Sequence, residues 1–379
     1  MWTDRYTQPA IRAALSPREL IRHELGVLAI QALVLGRTET SMTIESIAAD
    51  EERFDRFLHD SLGVEAMVGH DVAARLTVLR ATTGDDWVGY GLTSSNLVDT
   101  ALAVGLKLAC RVVDSANNSL AQALLSLEAV NDGIGQASRT HGRIAEPGTF
   151  PAHAASLYAR VQRSGHRLAN AEHEIVASLG GPTGRYAVFT RKDAAQVADA
   201  LLLRLESEPE QAVARDRVAT VGTAVVTMAT SAAHFATQVR LGATRDELTE
   251  PTGVGDYHGS SSMPHKRNPT RSERIVGLER VIRHYGAALA ESTVWWDQRD
   301  LTASSVERVT IGPLFELTTF VLTEATAIVR GLELDVTTMA ANNPASSSNE
   351  ALWALVSDGR DHDEAYRALR DHDSDPGGV

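Results

Sequence analysis

Residues 218–239 read VATVGTAVVTMATSAAHFATQV, the longest run in the chain without a charged residue. Val221, Val225, Met228, Ala232, Phe235 and Val239 recur every three or four positions, which draws one apolar stripe along a helix. The run is long enough to raise the question of a membrane. Thr220, Thr223, Thr227, Thr230, Ser231, His234 and Gln238 interrupt it, so it is read as a buried bundle helix and no membrane span is expected. Outward from this stretch the helical period continues. A second rod is expected from Pro313, a residue suited to a helix start, through Leu314, Leu317, Val321, Ala325, Ile328 and Leu332. Others are expected over about 96–131 and roughly 150–179. Rods near thirty residues are about 45 Å long and seldom stand alone. No long stretch alternates apolar with polar residues, so the fold class is all-α, a long-helix bundle.

The whole chain of 379 residues sets 36 Lys and Arg against 49 Asp and Glu, a net charge of −13, with 43% hydrophobic and 5% aromatic residues. Such a chain can bury a large core, and its acidity argues against general nucleic-acid binding through a basic face. Cys110 is the single cysteine, which excludes an intramolecular disulfide framework and a multi-cysteine zinc site and fits a cytoplasmic location. The opening MWTDRYTQPAIRAAL has no basic segment followed by an apolar one, so secretion is not expected. His362 and His372 lie among aspartates without helix-face zinc spacing, and no metal is expected. The Pro-Gly-Gly end is expected to be mobile.

Between the rods lie turn-rich segments at 84–95, 138–149, 180–186 and 250–269. The last contains Gly259-Ser-Ser-Ser-Met-Pro-His-Lys-Arg-Asn-Pro269. Its glycines can turn backbone N–H groups into one space, its serines add small hydroxyls, and Lys266, Arg267 and Asn268 add cationic and amide donors. That set suits a carboxylate, a phosphate or an oxyanion formed during reaction. Thr93 and Ser94, just before the apolar run of Leu97, Val98 and Ala101, put hydroxyls and free N–H groups at a helix start, a second seat for an anion.

GSSSMPHKRNP closely resembles the GSSxMPxKxNP signature of the aspartase/fumarase superfamily, and its ending looks most like the adenylosuccinate lyase branch. Six further segments resemble that branch in order: DRYTQPAI (4–11), GHDVAA (69–74), YGLTSSNLVDTAL (90–102), SRTHGRIAEPGTF (138–150), QAVARDR (211–217) and RDLTASSVER (299–308). The resemblance implies anti elimination of fumarate from an N-succinyl compound without a cofactor. It implies Ser260 as the base, with Ser261 as a substrate contact, although the triple serine leaves open which of the two is the base. It implies His141 as the proton donor and His70 as the second histidine. Lys266 and Asn268 would hold the succinyl carboxylates, with Thr93 and Ser94 as further contacts. Arg5, Tyr6, Gln211, Arg299, Ser304 and Arg308 would line the nucleotide half, and Glu273 would orient His141 or Lys266.

The resemblance also implies a small N-terminal helical domain (1–95), a central bundle (96–334) carrying the 250–269 loop, and a shortened C-terminal helical domain with an acidic tail (335–379). The last would hold two short helices. A homotetramer whose active sites gather segments from three chains is implied too. Adenylosuccinate, giving AMP, and the succinyl-aminoimidazole-carboxamide ribonucleotide of purine biosynthesis are the substrates expected first. A different N-succinyl amine in specialised metabolism is the alternative, because Gly69, Gly89, Asn96, Arg274 and Asp297 depart from the branch pattern. The resemblance implies a histidine at the place of Gly89, helping to bind the phosphate side of the substrate, and an aspartate at that of Asn96. A non-catalytic helical scaffold is the third reading, disfavoured because neither base nor donor is lost.

Overall fold

The computed structural model describes residues 2–251, 263 and 265–373. Ser260, Ser261 and the Pro-Gly-Gly end therefore lie outside the described residues. After a 3-10 turn over Trp2–Tyr6 come five helices: α1 (Pro9–Leu15), α2 (Pro17–Val34), α3 (Thr38–Ala49), α4 (Glu51–Val68) and α5 (Asp71–Thr83). The 37-residue α6 (Ser94–Val130) leads to a hairpin of β1 (Ser138–Thr140) and β2 (Arg143–Glu146), then α7 (Phe150–Ala171). Next are β3 (Val176–Ala177), α8 (Arg191–Ala200), β4 (Arg204–Leu205), α9 (Arg215–Ala243) and β5 (Leu248–Thr249). The chain continues through α10 (Thr270–Glu291), α11 (Thr302–Arg330), β6 (Glu333–Leu334), α12 (Val336–Asn342), α13 (Ser348–Ser357) and α14 (His362–Asp373). The described strands form three two-stranded ladders, β1–β2 and β5–β6 antiparallel and β3–β4 parallel. The architecture is all-α.

The chain divides into two compact units, one of Met1–Ser119, Val161–Ala233 and Ile275–Glu324, the other of Leu120–Arg160, His234–Arg274 and Ala325–Val379. In the first, α2 packs on α3 and α8, and α4 on α5, around Leu25, Leu28, Ile44, Phe54, Leu79, Phe189 and Val197. The long helices approach closely where side chains vanish. A Cβ at Gly222 of α9 would come within 2.9 Å of Leu289 Cδ1, and one at Gly286 of α10 within 2.5 Å of Val226 Cγ2. In the second unit Phe150, Ala154, Leu248 and Met339 form a smaller core, against which Leu127, Ile134, Leu332 and Leu334 pack.

Helix α9 covers the whole of the run that opened the sequence reading. By length and composition alone α9 and α11 could cross a membrane, yet 61% and 56% of their most apolar stretches are buried in the protein. Three expectations need correction. Pro313 lies inside α11 and does not start it. The start is Thr302, whose N–H donates to Asp300 Oδ1 at 2.8 Å. Pro313 removes one helical hydrogen bond, from the carbonyl of the exposed Val309, while buried Ile311, Leu314 and Phe315 hold the helix through it. The rod expected over 150–179 ends at Ala171, because Val176 and Ala177 pair instead with Arg204 and Leu205. The segment after β6 makes three short helices rather than two, since Asp335 and Ser347 each cap a new start by accepting from Thr338 N and Glu350 N.

Candidate active site

In the first unit, several of the expected site residues meet around two helix starts. His70 caps α5, its Nδ1 accepting from Ala73 N at 3.4 Å, while its Nε2 lies 3.4 Å from Ser94 Oγ. With Nδ1 accepting, the neutral ring carries its proton on Nε2, toward the serine. Thr93 caps α6 reciprocally with Asn96: Asn96 N donates to Thr93 Oγ1 at 3.3 Å, and Thr93 N donates to Asn96 Oδ1 at 3.0 Å. Ser94, half-buried, stays within reach of an incoming anion. Arg308 Nη2 donates to Asp71 Oδ2 at 3.4 Å, next to His70, and Arg299 Nη2 donates to Ser304 Oγ at 3.2 Å. Partial burial works against ionised Asp71, but the Val72 N–H and the Arg75 and Arg308 guanidiniums hold its carboxyl below the ordinary carboxylate value. Gln211 is half-buried, with its carbonyl accepting from Asn96 Nδ2 at 3.3 Å. Arg5 is exposed, and Tyr6 packs edge-on against Phe320, ring centroids 5.0 Å apart.

The second unit carries His141, Lys266, Asn268 and Glu273. Ser138–Thr140 and Arg143–Glu146 pair with Thr140 opposite Arg143, leaving His141 and Gly142 as a two-residue turn. Both have positive φ, 52° and 77°, the pattern of the mirror-image turns that right-twisted hairpins favour. Histidine is a costly choice there by about 1 kcal/mol or more, and it is exposed at the tip of the turn. Lys266 is exposed, Asn268 half-buried, and Glu273 exposed in the first turn of α10. Among the described residues Glu273 makes no side-chain hydrogen bond to His141 or Lys266. A different acid holds this helix start. The carboxylate of buried Glu250 accepts from Arg271 N and Ser272 N, both at 2.8 Å, and from Ser272 Oγ at 2.5 Å. It fastens the first residue of the 250–269 segment to the helix that follows.

Residues 29–283 match the Lyase family. The chain is 35% identical over 321 residues to the adenylosuccinate lyase of Synechocystis sp., covering 82% of this chain and 74% of that protein. It is 34% identical over 311 residues to the adenylosuccinate lyase of Aquifex aeolicus, covering 80% and 71%. The chain belongs to the adenylosuccinate lyase family of the aspartase/fumarase superfamily. It is a carbon–nitrogen lyase that releases fumarate from an N-succinyl substrate. Solved structures agree in fold. The fumarate lyase of Mesorhizobium sp. BNC1 superposes with a TM-score of 0.82 at 20% identity, over 96% of this chain and 85% of that one. The 3-carboxy-cis,cis-muconate lactonizing enzyme of Pseudomonas putida gives 0.84 at 24%, over 97% and 86%.

Two departures from the adenylosuccinate lyase pattern have local physical causes. Gly89 stands at φ +75°, and a Cβ there would lie 3.1 Å from Leu76 Cδ2, so the histidine common at this position would be strained on this backbone. Asn96 is fully buried, and its amide joins Thr93, Gly181 N at 3.1 Å and the Gln211 carbonyl. An aspartate could not donate to that carbonyl. Asn96 is therefore internal scaffolding rather than part of the substrate surface.

Beneath these residues sits Arg215, 3% exposed, whose Nη1 and Nη2 each donate at 2.9 Å to Asp99 and whose Nε lies 2.6 Å from Glu307 Oε1. One guanidinium serves two carboxylates. Burial pushes Glu307 up to about 7 and the Asp99 charge adds to this, with Arg215 and Arg299 opposing. A carboxyl raised above its unfolded value of about 4.5 binds its proton more readily in the folded state, so its contribution is full at low pH and lost as pH rises through about 7. Thermal unfolding should therefore move to lower temperature as pH rises from about 4.5 to about 7, and Glu307→Gln should flatten that dependence. An equally steep profile in the variant would remove Glu307 as the cause.

Proposed function

We propose that the substrate is adenylosuccinate, cleaved to AMP and fumarate, with succinyl-aminoimidazole-carboxamide ribonucleotide as a second substrate of purine biosynthesis. The observation that carries this reading is identity of 34–35% to two proteins named adenylosuccinate lyase across four-fifths of the chain. Retention of Arg5, Tyr6, Gln211, Arg299, Ser304 and Arg308 for the nucleotide half supports it. In the proposed chemistry Ser260 takes the proton from the carbon next to a succinyl carboxylate, with Ser261 as a contact. Lys266, Asn268, Thr93 and Ser94 stabilise the dianionic aci-carboxylate. The C–N bond then breaks, its electron pair goes to nitrogen, and His141, supported by His70, supplies the proton that lets the amine leave. No cofactor enters this scheme.

The same reading includes a cytoplasmic homotetramer with active sites shared between chains, and no nucleic-acid or membrane partner. Val98, Leu108 and Leu125 of α6, all exposed, support such an assembly. It retains the three-part division at 95/96 and 334/335 and a supporting role for Glu273. The glycine conformation at Gly89 favours a second reading, in which the leaving amine lacks the phosphate side that a histidine there would meet. Fumarate release from adenylosuccinate, measured beside a panel of other N-succinyl amines, separates the two. Turnover of adenylosuccinate above the rest supports the first, and turnover of another amine alone replaces it with the second.

A further inference from the structure

The hairpin that presents His141 has strands of only three and four residues, too short to be stable by itself in water. Its rigidity comes from what holds it. Arg139, two residues before His141, donates through Nη2 to Oε1 of Glu247 at 3.0 Å. Glu247 is 1% exposed, and its Oε1 also accepts from Asn342 Nδ2 at 3.0 Å. Gln136 Nε2 reaches its Oε2 at 3.4 Å, with Gln136 Oε1 fixed 2.6 Å from His153 Nδ1. The main chain of Glu247 is pinned as well: its N–H donates to Gly242 O and its carbonyl accepts from Asp335 N, both at 3.0 Å. At the end of the second strand Glu146 Oε1 accepts from Asn349 N at 3.1 Å, and just beyond it Asn343 pairs its amide with both backbone groups of Gly148, at 3.1 and 3.2 Å. Arg245 lies close enough that Arg139, after burial itself, depresses its proton affinity, with Glu247 opposing. Without Glu247 the two arginines would face each other uncompensated.

We infer that Glu247, acting through Arg139 and joined by Asn342, is a positioning residue that fixes the place from which His141 delivers its proton. The inference rests on the proposed role of His141 as donor. Neither Glu247 nor Asn342 touches the reacting atoms in this scheme; they set the geometry of the group that does. A displacement of about 1 Å in a catalytic group is enough to cost on the order of 100-fold in rate.

The test measures kcat and KM for fumarate release from adenylosuccinate, or from the N-succinyl amine the unmodified enzyme turns over fastest. The variants are Glu247→Gln, Asn342→Ala and His141→Asn, with both clamp changes also made on the His141→Asn background. Glu247→Gln should lower kcat roughly 10- to 100-fold with KM within about twofold, and Asn342→Ala should lower it by less in the same manner. On the His141→Asn background each change should add less than about twofold, because the residue being positioned is gone. An equal loss on both backgrounds would mean general structural damage and would overturn the inference. If Glu247→Gln does not fold, Asn342→Ala, which leaves the ion pair intact, decides in its place. Wild-type kcat in the clamp variants beside an inactive His141→Asn overturns the inference while leaving the donor assignment standing. Full activity in His141→Asn removes the donor assignment and the inference together.

Discussion

Replacement of His141 by asparagine is expected to lower kcat by about 10²- to 10⁴-fold, the range for loss of a positioned general acid, with KM changed by no more than a few-fold. Asparagine is the informative choice because of the backbone. His141 stands at φ 52° in a two-residue turn, a conformation that asparagine adopts more easily than most residues. The variant should therefore keep the hairpin and delete only the proposed proton donor. Alanine would mix chemical loss with turn strain. The leaving nitrogen cannot depart as an anion at a useful rate, so the missing proton should appear in kcat rather than in substrate binding. Steady-state kinetics beside a thermal unfolding curve would check it. An asparagine variant within tenfold of the parent at equal stability would remove His141 from the reaction.

Fold class was open to sequence reading because burial and periodicity coincide in the long helices. The stripe from Val221 to Val239 is buried throughout, and the rod expected over 96–131 is α6 almost to the residue. Pro313 misled because local propensity is weaker than the packing of Ile311, Leu314 and Phe315 around it, and the true start signal was Asp300 with Thr302. The end of α7 was lost for a different reason, a pairing between Val176–Ala177 and Arg204–Leu205 that no local window contains. At the site, the motifs marked His70, Ser94, Arg299 and Ser304, which the fold brings into two pairs, and Arg308, which reaches Asp71. They did not mark Glu247, Glu250, Asn342 or Asn343. Each of these holds a partner distant in sequence, 22 residues on from Glu250 at Ser272, 95 between Glu247 and Asn342 and 195 between Gly148 and Asn343. An isolated acid or amide in a loop carries no periodicity to announce such a role. Arg215 and Glu307 lay inside quoted motifs, yet only the structure separates their buried pairing from the exposed Arg308 beside them.

Arg215→Met should be the most destabilising single change considered, about 3–5 kcal/mol, because it removes the partner of a buried charged group and leaves the Asp99 charge and the Glu307 carboxyl unanswered. Asp99 accepts from both terminal nitrogens of Arg215 and also from Val213 N at 2.8 Å, and Glu307 Oε2 takes a further bond from Nη2 at 3.2 Å. Methionine fills much of the volume but answers none of these oxygens. Lysine should recover only part of the loss, since one ammonium cannot match the fork that spans both acids. The double variant Arg215→Met with Glu307→Gln should be more stable than Arg215→Met alone above about pH 7, because it removes a carboxyl that ionises beside Asp99. Denaturant unfolding of the set would measure the coupling, and strict additivity of the two changes would contradict a shared charge group. Function should follow stability here for a geometric reason. Asp99 fastens the 211–215 segment that carries Gln211, and Glu307 precedes Arg308 on α11, so the loss of Arg215 loosens two expected substrate contacts at once. In conditions where Arg215→Met remains folded, its KM should rise more than its kcat falls, the reverse of the pattern expected for His141.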